Sequence, residues 1–180
     1  MFLKNFTNFQ SILPIIFYRE FNTEIVLVVL SKYLLLSLNI LKYHINYQYK
    51  MLSCISGVDL LQNNYRFCVS YDLLSLVCNS RIRIKTFLNE TVTLMSSTSV
   101  FVNANWWERE IWDLFGIYFE RHNDLRRLLT DYGFEGHPMR KDFPLFGYIE
   151  LRYNESKKRI ISEQVQLAQE FRFFTFETPW

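Results

Sequence analysis

Glycine and alanine are both scarce in this chain of 180 residues, which has five glycines and alanine only at Ala104 and Ala168. So few glycines leave no phosphate-cradling loop, and Gly133 and Gly136 do not make a dinucleotide fingerprint. Nicotinamide or flavin binding by this chain is therefore not expected. Cysteine is limited to Cys54, Cys68 and Cys78, spaced too widely and irregularly for the usual zinc or iron-sulfur ligand sets. The expectation is three buried apolar thiols in a reducing compartment, since the number is odd and no signal peptide precedes them. No serine or cysteine stands in a nucleophile motif. Charge of a single sign is missing too. The formal net charge is +2, with nine basic and five acidic side chains in residues 1–100 and eleven and thirteen in 101–180. That balance gives no field for phosphate and disfavours a nucleic-acid partner. Only one long apolar run exists, Ile25 to Leu41. Its length alone admits a membrane span, but Lys32, Ser37 and Asn39 interrupt it. A β-branched strand, Ile25–Val29, followed by a Leu-rich helix, Tyr33–Tyr43, accounts for it without lipid.

What the chain has in quantity is apolar and aromatic surface, 49% and 18% of residues. That is ample for a core, and large rings point to a core or an interface rich in them. The residues with AT-rich codons (Phe, Tyr, Met, Ile, Asn, Lys) dominate, a genetic bias suggesting an organelle-type genome, and the start lacks the Arg-rich profile of an imported transit peptide. There are no internal repeats or low-complexity segments. Tyr49–Ile55, Tyr65–Leu76 and Ser80–Phe87 are short, rich in β-formers and separated by turn signals, which predicts three sequential strands. Within the last of them Arg81, Ile82, Arg83, Ile84 and Lys85 alternate strictly. One face is therefore apolar and the other basic, a solvated or partner-facing side more than an anion site.

Ser97, Thr98 or Ser99 can punctuate the chain before Asn105–Phe115, where Trp107, Ile111 and Leu114 recur at helical spacing. Arg109 and Asp113 stand four apart, as a surface pair would, and Gly116 occupies the position of a left-handed cap. Beyond it, Asp124–Thr130 reads as a short helix closed by Gly133, while Pro138, Pro144 and Gly147 forbid long elements. Tyr148–Tyr153 and Lys158–Ile161 read as a hairpin around Asn154, Glu155 and Ser156. Phe171, Phe173, Phe174, Phe176 and Trp180 are too many aromatics to leave in water and too close to the terminus to build a core alone. The expected fold class is α+β: a small mixed sheet with helices packed on it over residues 1–116, then a long irregular C-terminal arm with a hairpin over 117–180, wrapping another protein.

Glu108, Glu110, Asp113 and His122 invite a metal reading. Glu108 and Glu110 point about 200° apart on a helix, however, and no Glu-x-x-His pair shares a face. The competing reading is a helix whose charges pair with Arg109, Arg126, Arg127 or a neighbouring chain. His137, beside Arg140, Lys141 and Asp142, is placed to hold an anion or shuttle protons, or simply to make a turn hydrogen bond. An independent metal-dependent or proton-transfer enzyme built on Glu108, Glu110, His122 and His137 stands as the alternative to a scaffold.

ANWWEREIWDLFGIYFERH at 104–122, DLRRLLTDYGFEGHPMRKDFPLFGYIELRY at 124–153 and VQLAQEFRFF at 165–174 together resemble the 30-kDa subunit family of respiratory complex I, the NADH:ubiquinone oxidoreductase. The likeness is strong over 101–180 and looser over 49–90, through GVD at 57–59, YRFCVSYDLLSL and RIRIK. It implies a matrix-facing subunit of the peripheral arm at the mitochondrial inner membrane. Such a subunit binds no cofactor itself, within a complex that uses FMN, iron-sulfur clusters and ubiquinone. Its implied partners are the large quinone-site subunit and the subunit carrying the terminal iron-sulfur cluster, with no membrane span of its own. The residues the resemblance marks as signature or interface positions are Glu108, Arg109, Glu110, Asp113, Gly116, Arg126, Arg127, Gly133, Gly136, His137, Pro138, Arg140, Lys141 and Asp142.

Overall fold

Period-two alternation lets a strand bury one face while the other stays wet, and that pattern governs the central sheet. The computed structural model describes residues 12–21, 24–174, 178 and 180. Five strands, β1 (Ile15–Phe21), β2 (Glu24–Val29), β3 (Met51–Asp59), β4 (Phe67–Ser75) and β5 (Ser80–Leu88), line up in the order β1-β2-β5-β4-β3. All neighbours are antiparallel except β2 and β5, so the sheet is mixed, as expected. A parallel pair needs a crossover. Here it is supplied by a 3-10 turn at Ser31–Tyr33, helix α1 (Leu34–Tyr43) and the β3–β4 hairpin. The Ile25–Leu41 run is thus divided between a strand and a helix, and no helix among the described residues is long and apolar enough to cross a membrane.

The inward row of the sheet is apolar in each central strand: Leu27 and Val29 on β2, Ile82 and Ile84 on β5, Phe67, Val69, Tyr71 and Leu73 on β4, Leu52 and Ile55 on β3. Leu34, Leu38 and Leu41 of α1 join the same core, as do Ala104, Ile111 and Phe115 of helix α2 (Ala104–Phe115). Helix α2 lies against β3, where Gly57 permits the approach: a Cβ there would come 2.9 Å from Phe115 Cδ2. Two tiny strands, β6 (Leu94–Met95) and β7 (Phe119–Glu120), pair in parallel on either side of α2. Strands β1, β6 and β7 were not anticipated. The segment IIFYREF carries a β-former signal, but β6 and β7 are two residues each and exist only because the chain around α2 brings them together.

The chain forms two units, divided at Lys141 and Asp142. The first therefore continues beyond Gly116, and the segment from 117 to 141, read from the sequence as the start of the arm, packs on α2 instead. The second unit holds the hairpin of β8 (Ile149–Asn154) and β9 (Arg159–Gln164). Its turn is tied by Lys157 N–H donating to Asn154 Oδ1 at 3.0 Å. Phe146 and Phe171 meet edge to face at 5.4 Å in the same unit, whereas Phe173 and Trp180 are almost fully exposed. Phe176 lies outside the described residues.

Candidate functional site

Helix α2 departs from the usual amphipathic plan because Glu108, Arg109 and Asp113 face inward and are buried. A charge removed from water must be paired or hydrogen-bonded, and these side chains meet that demand by holding loops, Glu108 the one before α2 and Arg109 and Asp113 the one after it. Glu108 accepts from the Ser97 backbone N–H at 2.7 Å and from the Ser96 and Ser97 hydroxyls at 2.6 Å each. Burial raises its pKa, while those hydrogen bonds pull the other way. His122 Nε2 lies 3.9 Å from Glu108 Oε2 and 3.3 Å from the Asn105 carbonyl. Its Nδ1 accepts the Asp124 N–H at 3.1 Å, which puts the proton of the neutral ring on Nε2.

Asp113 is the densest node. Its Oδ2 accepts the backbone N–H groups of Leu128, Leu129 and Thr130 at 3.2, 2.7 and 2.8 Å. Its Oδ1 takes the Thr130 hydroxyl at 2.7 Å and Arg127 Nη1 at 3.3 Å. Burial alone would raise this carboxyl, but the Thr130 hydroxyl and the backbone donors outweigh it and hold the pKa below the ordinary value. The short helix expected over Asp124–Thr130 does not form, because the N–H groups that would seek carbonyls four residues back are taken by this carboxylate. The expected Arg109–Asp113 surface pair is also corrected. Both are buried, and Arg109 Nε instead donates to the Arg126 carbonyl at 3.1 Å, its guanidinium 5.7 Å over the Trp106 ring. Arg126 itself is exposed and pairs with Asp124 at 2.9 Å.

A helix end leaves its last carbonyls without partners. Here Gly116, at φ 77°, returns its N–H to Trp112 O, and the segment His137–Arg140 satisfies the rest. His137 Nδ1 donates to Asp113 O at 2.9 Å, Met139 N–H to Leu114 O at 3.0 Å, and Arg140 Nε to Phe115 O at 2.6 Å. Pro138 sits inside the turn closed by Arg140 N–H to His137 O at 3.3 Å, where a fixed φ is favourable. Burial lowers the His137 pKa, reinforced by Arg140 and Arg127, and the ring packs edge to face on Trp112 at 5.6 Å. Arg127 Nη1 also donates to Gly136 O at 2.9 Å. Gly133 and Gly136 have φ of 72° and 94°. Lys141 contributes its backbone N–H, which Asp59 Oδ2 accepts at 2.8 Å, while Arg66 grips the same carboxylate with two 2.9 Å bonds. Asp142 begins the second unit.

The structure thus joins ten of the signature positions into one clamp around α2: Glu108, Arg109, Asp113, Gly116, Arg126, Arg127, Gly136, His137, Arg140 and Lys141. Glu110 is half-buried and, among the described residues, takes no part in it. The four residues of the enzyme alternative are not gathered: Glu108 and His122 meet in a fully buried spot, His137 caps the far end of the helix, and Glu110 joins neither. Among the described residues no three His, Cys, Asp or Glu side chains stand together as a metal site would require. Asp59, Arg66, Ser96 and Ser97 were missed as members. The Asp of GVD and the serine run were visible, but nothing local says that a residue eleven or eighty-two places on is the partner.

The cysteines also differ from expectation. Cys68 is buried, Cys54 half-buried and Cys78 exposed in a turn. Cys54 Sγ donates to Asp72 Oδ2 at 3.3 Å, and burial raises its pKa. Asp72 in turn pairs with Arg83, which approaches Glu24 at 4.0 Å. Arg83, at the centre of the basic face of β5, is therefore met by acids on both adjacent strands, around a recess of about 140 Å³.

A five-stranded mixed sheet bearing a helix whose buried charges are spent on the chain's own loops defines an α+β packing module. Residues 27–149 match the family described as respiratory-chain NADH dehydrogenase, 30 Kd subunit, and the chain belongs to that family. It is 53% identical over 157 residues to NADH-ubiquinone oxidoreductase subunit 9 of Reclinomonas americana, covering 87% of this chain and 77% of the relative. It is 52% identical over 150 residues to NADH dehydrogenase [ubiquinone] iron-sulfur protein 3 of Oryza sativa subsp. japonica, covering 83% and 79%. A solved chain in the membrane-bound sulfane sulfur reductase, an archaeal respiratory membrane complex, shares the fold with TM-score 0.70 at 19% identity, covering 88% of this chain and 98% of that one. As a family member, the chain is a subunit of the multi-subunit respiratory complex I.

Proposed function

We propose that the chain serves complex I as a structural and assembly subunit of the peripheral arm, in the module that reduces ubiquinone, on the matrix side of the mitochondrial inner membrane. It carries no catalytic group of its own. FMN, iron-sulfur clusters and ubiquinone belong to other subunits, and the chain supports electron transfer from NADH coupled to proton translocation by holding neighbours in position. Its partners are the large quinone-site subunit and the subunit with the terminal iron-sulfur cluster. The observation that carries this reading is the clamp: Glu108, Arg109, Asp113, Arg127, His137 and Arg140 each spend side-chain donors or acceptors on backbone or hydroxyl groups of the same chain.

The name of the Oryza sativa relative mentions iron and sulfur, and thiolate ligation of a cluster ordinarily takes four cysteines. This chain has three. Cys54 is in register with Asp72 and Cys68 with Val58, so along β3 they lie four positions, about 13 Å, apart. The residues do not fit a cluster. The test is native electrophoresis of solubilised membranes with in-gel NADH dehydrogenase staining. The chain is expected to migrate with the activity, and depleting it is expected to lower the amount of complex in proportion to turnover. A chain migrating apart from the activity overturns the proposal.

A further inference from the structure

Antiparallel register assigns each hairpin residue to a face. Ile149, Leu151, Tyr153, Ile160, Ser162 and Gln164 share one side of β8 and β9, and Glu150, Arg152, Asn154, Arg159, Ile161 and Glu163 share the other. The second side is charged and internally bonded, with Arg152 and Glu163 joined by two bonds of 3.0 and 2.8 Å. The first is its opposite: Ile149, Leu151, Tyr153 and Ile160 are between 55% and 67% exposed. Two strands alone do not hold together in water, and amphipathic strands exist to bury one side. This hairpin is thus built for a surface that its own chain does not provide among the described residues.

The turn adds a sign. Lys157, Lys158 and Arg159 follow one another at the tip, against Glu155 alone, and Lys158 is held at φ 51°. Among the described residues, neither long edge of the two-stranded sheet carries a further strand. Apolar centre, basic tip and paired charges behind together specify the complement: an apolar strip on another polypeptide, bordered by carboxylates where it meets Lys157 and Lys158. We propose that the Ile149–Leu151–Tyr153–Ile160 face is a docking surface for such a strip on a neighbouring subunit. The proposal rests on the chain being a complex I subunit. It adds which face docks, and onto what chemistry.

The test uses the intact complex and two measurements. Zero-length carbodiimide coupling followed by peptide mass spectrometry is expected to join Lys157 or Lys158 to an aspartate or glutamate of another subunit. Leu151→Glu and Ile160→Glu are each expected to lower, severalfold, the amount of chain retained in the complex on native gels, whereas Glu150→Gln, on the charged side, leaves retention unchanged. Coupling that is absent, or confined to this chain or to a second copy of it, overturns the proposal, as does full retention of Leu151→Glu and Ile160→Glu. Failure of the underlying subunit reading looks different: the parent chain itself then fails to migrate with NADH dehydrogenase activity.

Discussion

Asp113 holds Thr130 twice, accepting its backbone N–H at 2.8 Å on Oδ2 and its hydroxyl at 2.7 Å on Oδ1. With Leu128, Leu129 and Arg127 on the same carboxylate, five donors converge on one buried group. The loop from Arg126 to Thr130 has its shape because of that side chain.

Replacing Asp113 by Asn leaves one acceptor oxygen and presents an amide to donors that need an anion. Breaking a buried charged node of this kind costs about 3 to 5 kcal/mol. Complex content is expected to fall several-fold, while turnover per assembled complex stays at the parent value. Quantitative native gels beside NADH:quinone assays check both. Normal content with abolished turnover would assign Asp113 a chemical role.

Gly116→Ala and Gly133→Ala separate backbone strain from collision. Both sites have φ above 70°, a conformation that costs a residue with a Cβ about 1 to 2 kcal/mol. At Gly133 nothing lies within 4 Å, whereas at Gly116 the added carbon would stand 2.5 Å from Arg140 Nη2 and 2.6 Å from His137 Nε2. Urea unfolding is expected to show the backbone cost alone for Gly133→Ala. For Gly116→Ala it is expected to be larger by about 1 kcal/mol or more for each cap hydrogen bond lost.

Gly57→Ala probes the approach of β3 to α2. Its Cβ would press on Phe115 at 2.9 and 3.0 Å, an overpacking worth about 1 to 3 kcal/mol. Phe115→Leu makes room, so the double variant is expected to be more stable than the two single costs add up to, a coupling that a double-mutant cycle reads directly.

Acid and base limbs of stability should have separate owners. Arg66 holds the Asp59 carboxyl below its ordinary value, opposed by burial and helped by the Lys141 N–H. A carboxyl lowered in the folded state contributes stability above its unfolded value, near 4, and loses it as pH falls through the lower folded value. Glu108, raised by burial, acts in the opposite sense: its contribution is present below the unfolded value and is lost as pH rises through the folded one. Asp59→Asn is therefore expected to destabilise strongly at pH 7 and converge on the parent in acid, and Glu108→Gln to cost less at pH 8 than at pH 5. Pulse proteolysis across a pH series reports both.

Strands β2 to β5, α1, α2, the Gly116 cap and the hairpin were legible because each is written in local periodicity or a single conformational demand. Ile82 and Ile84 alternate with Arg81, Arg83 and Lys85 whatever the rest of the chain does. The clamp was not legible in the same way. Arg109 and Asp113 at helical spacing look like a surface pair until one knows that their side of α2 faces the core, and Asp124–Thr130 has a helical composition that the Asp113 carboxylate overrides. Asp59 and Lys141 are eighty-two residues apart, and their bond is a property of the folded chain only.

Lys141 is the last residue of the first unit, and its N–H ends on Asp59 at the close of edge strand β3, with Arg66 braced on the same oxygen pair. The boundary of the first unit is thus pinned to its sheet by a single carboxylate. Asp59→Ala would therefore unseat two things at once, the Arg66 guanidinium and the chain at Lys141.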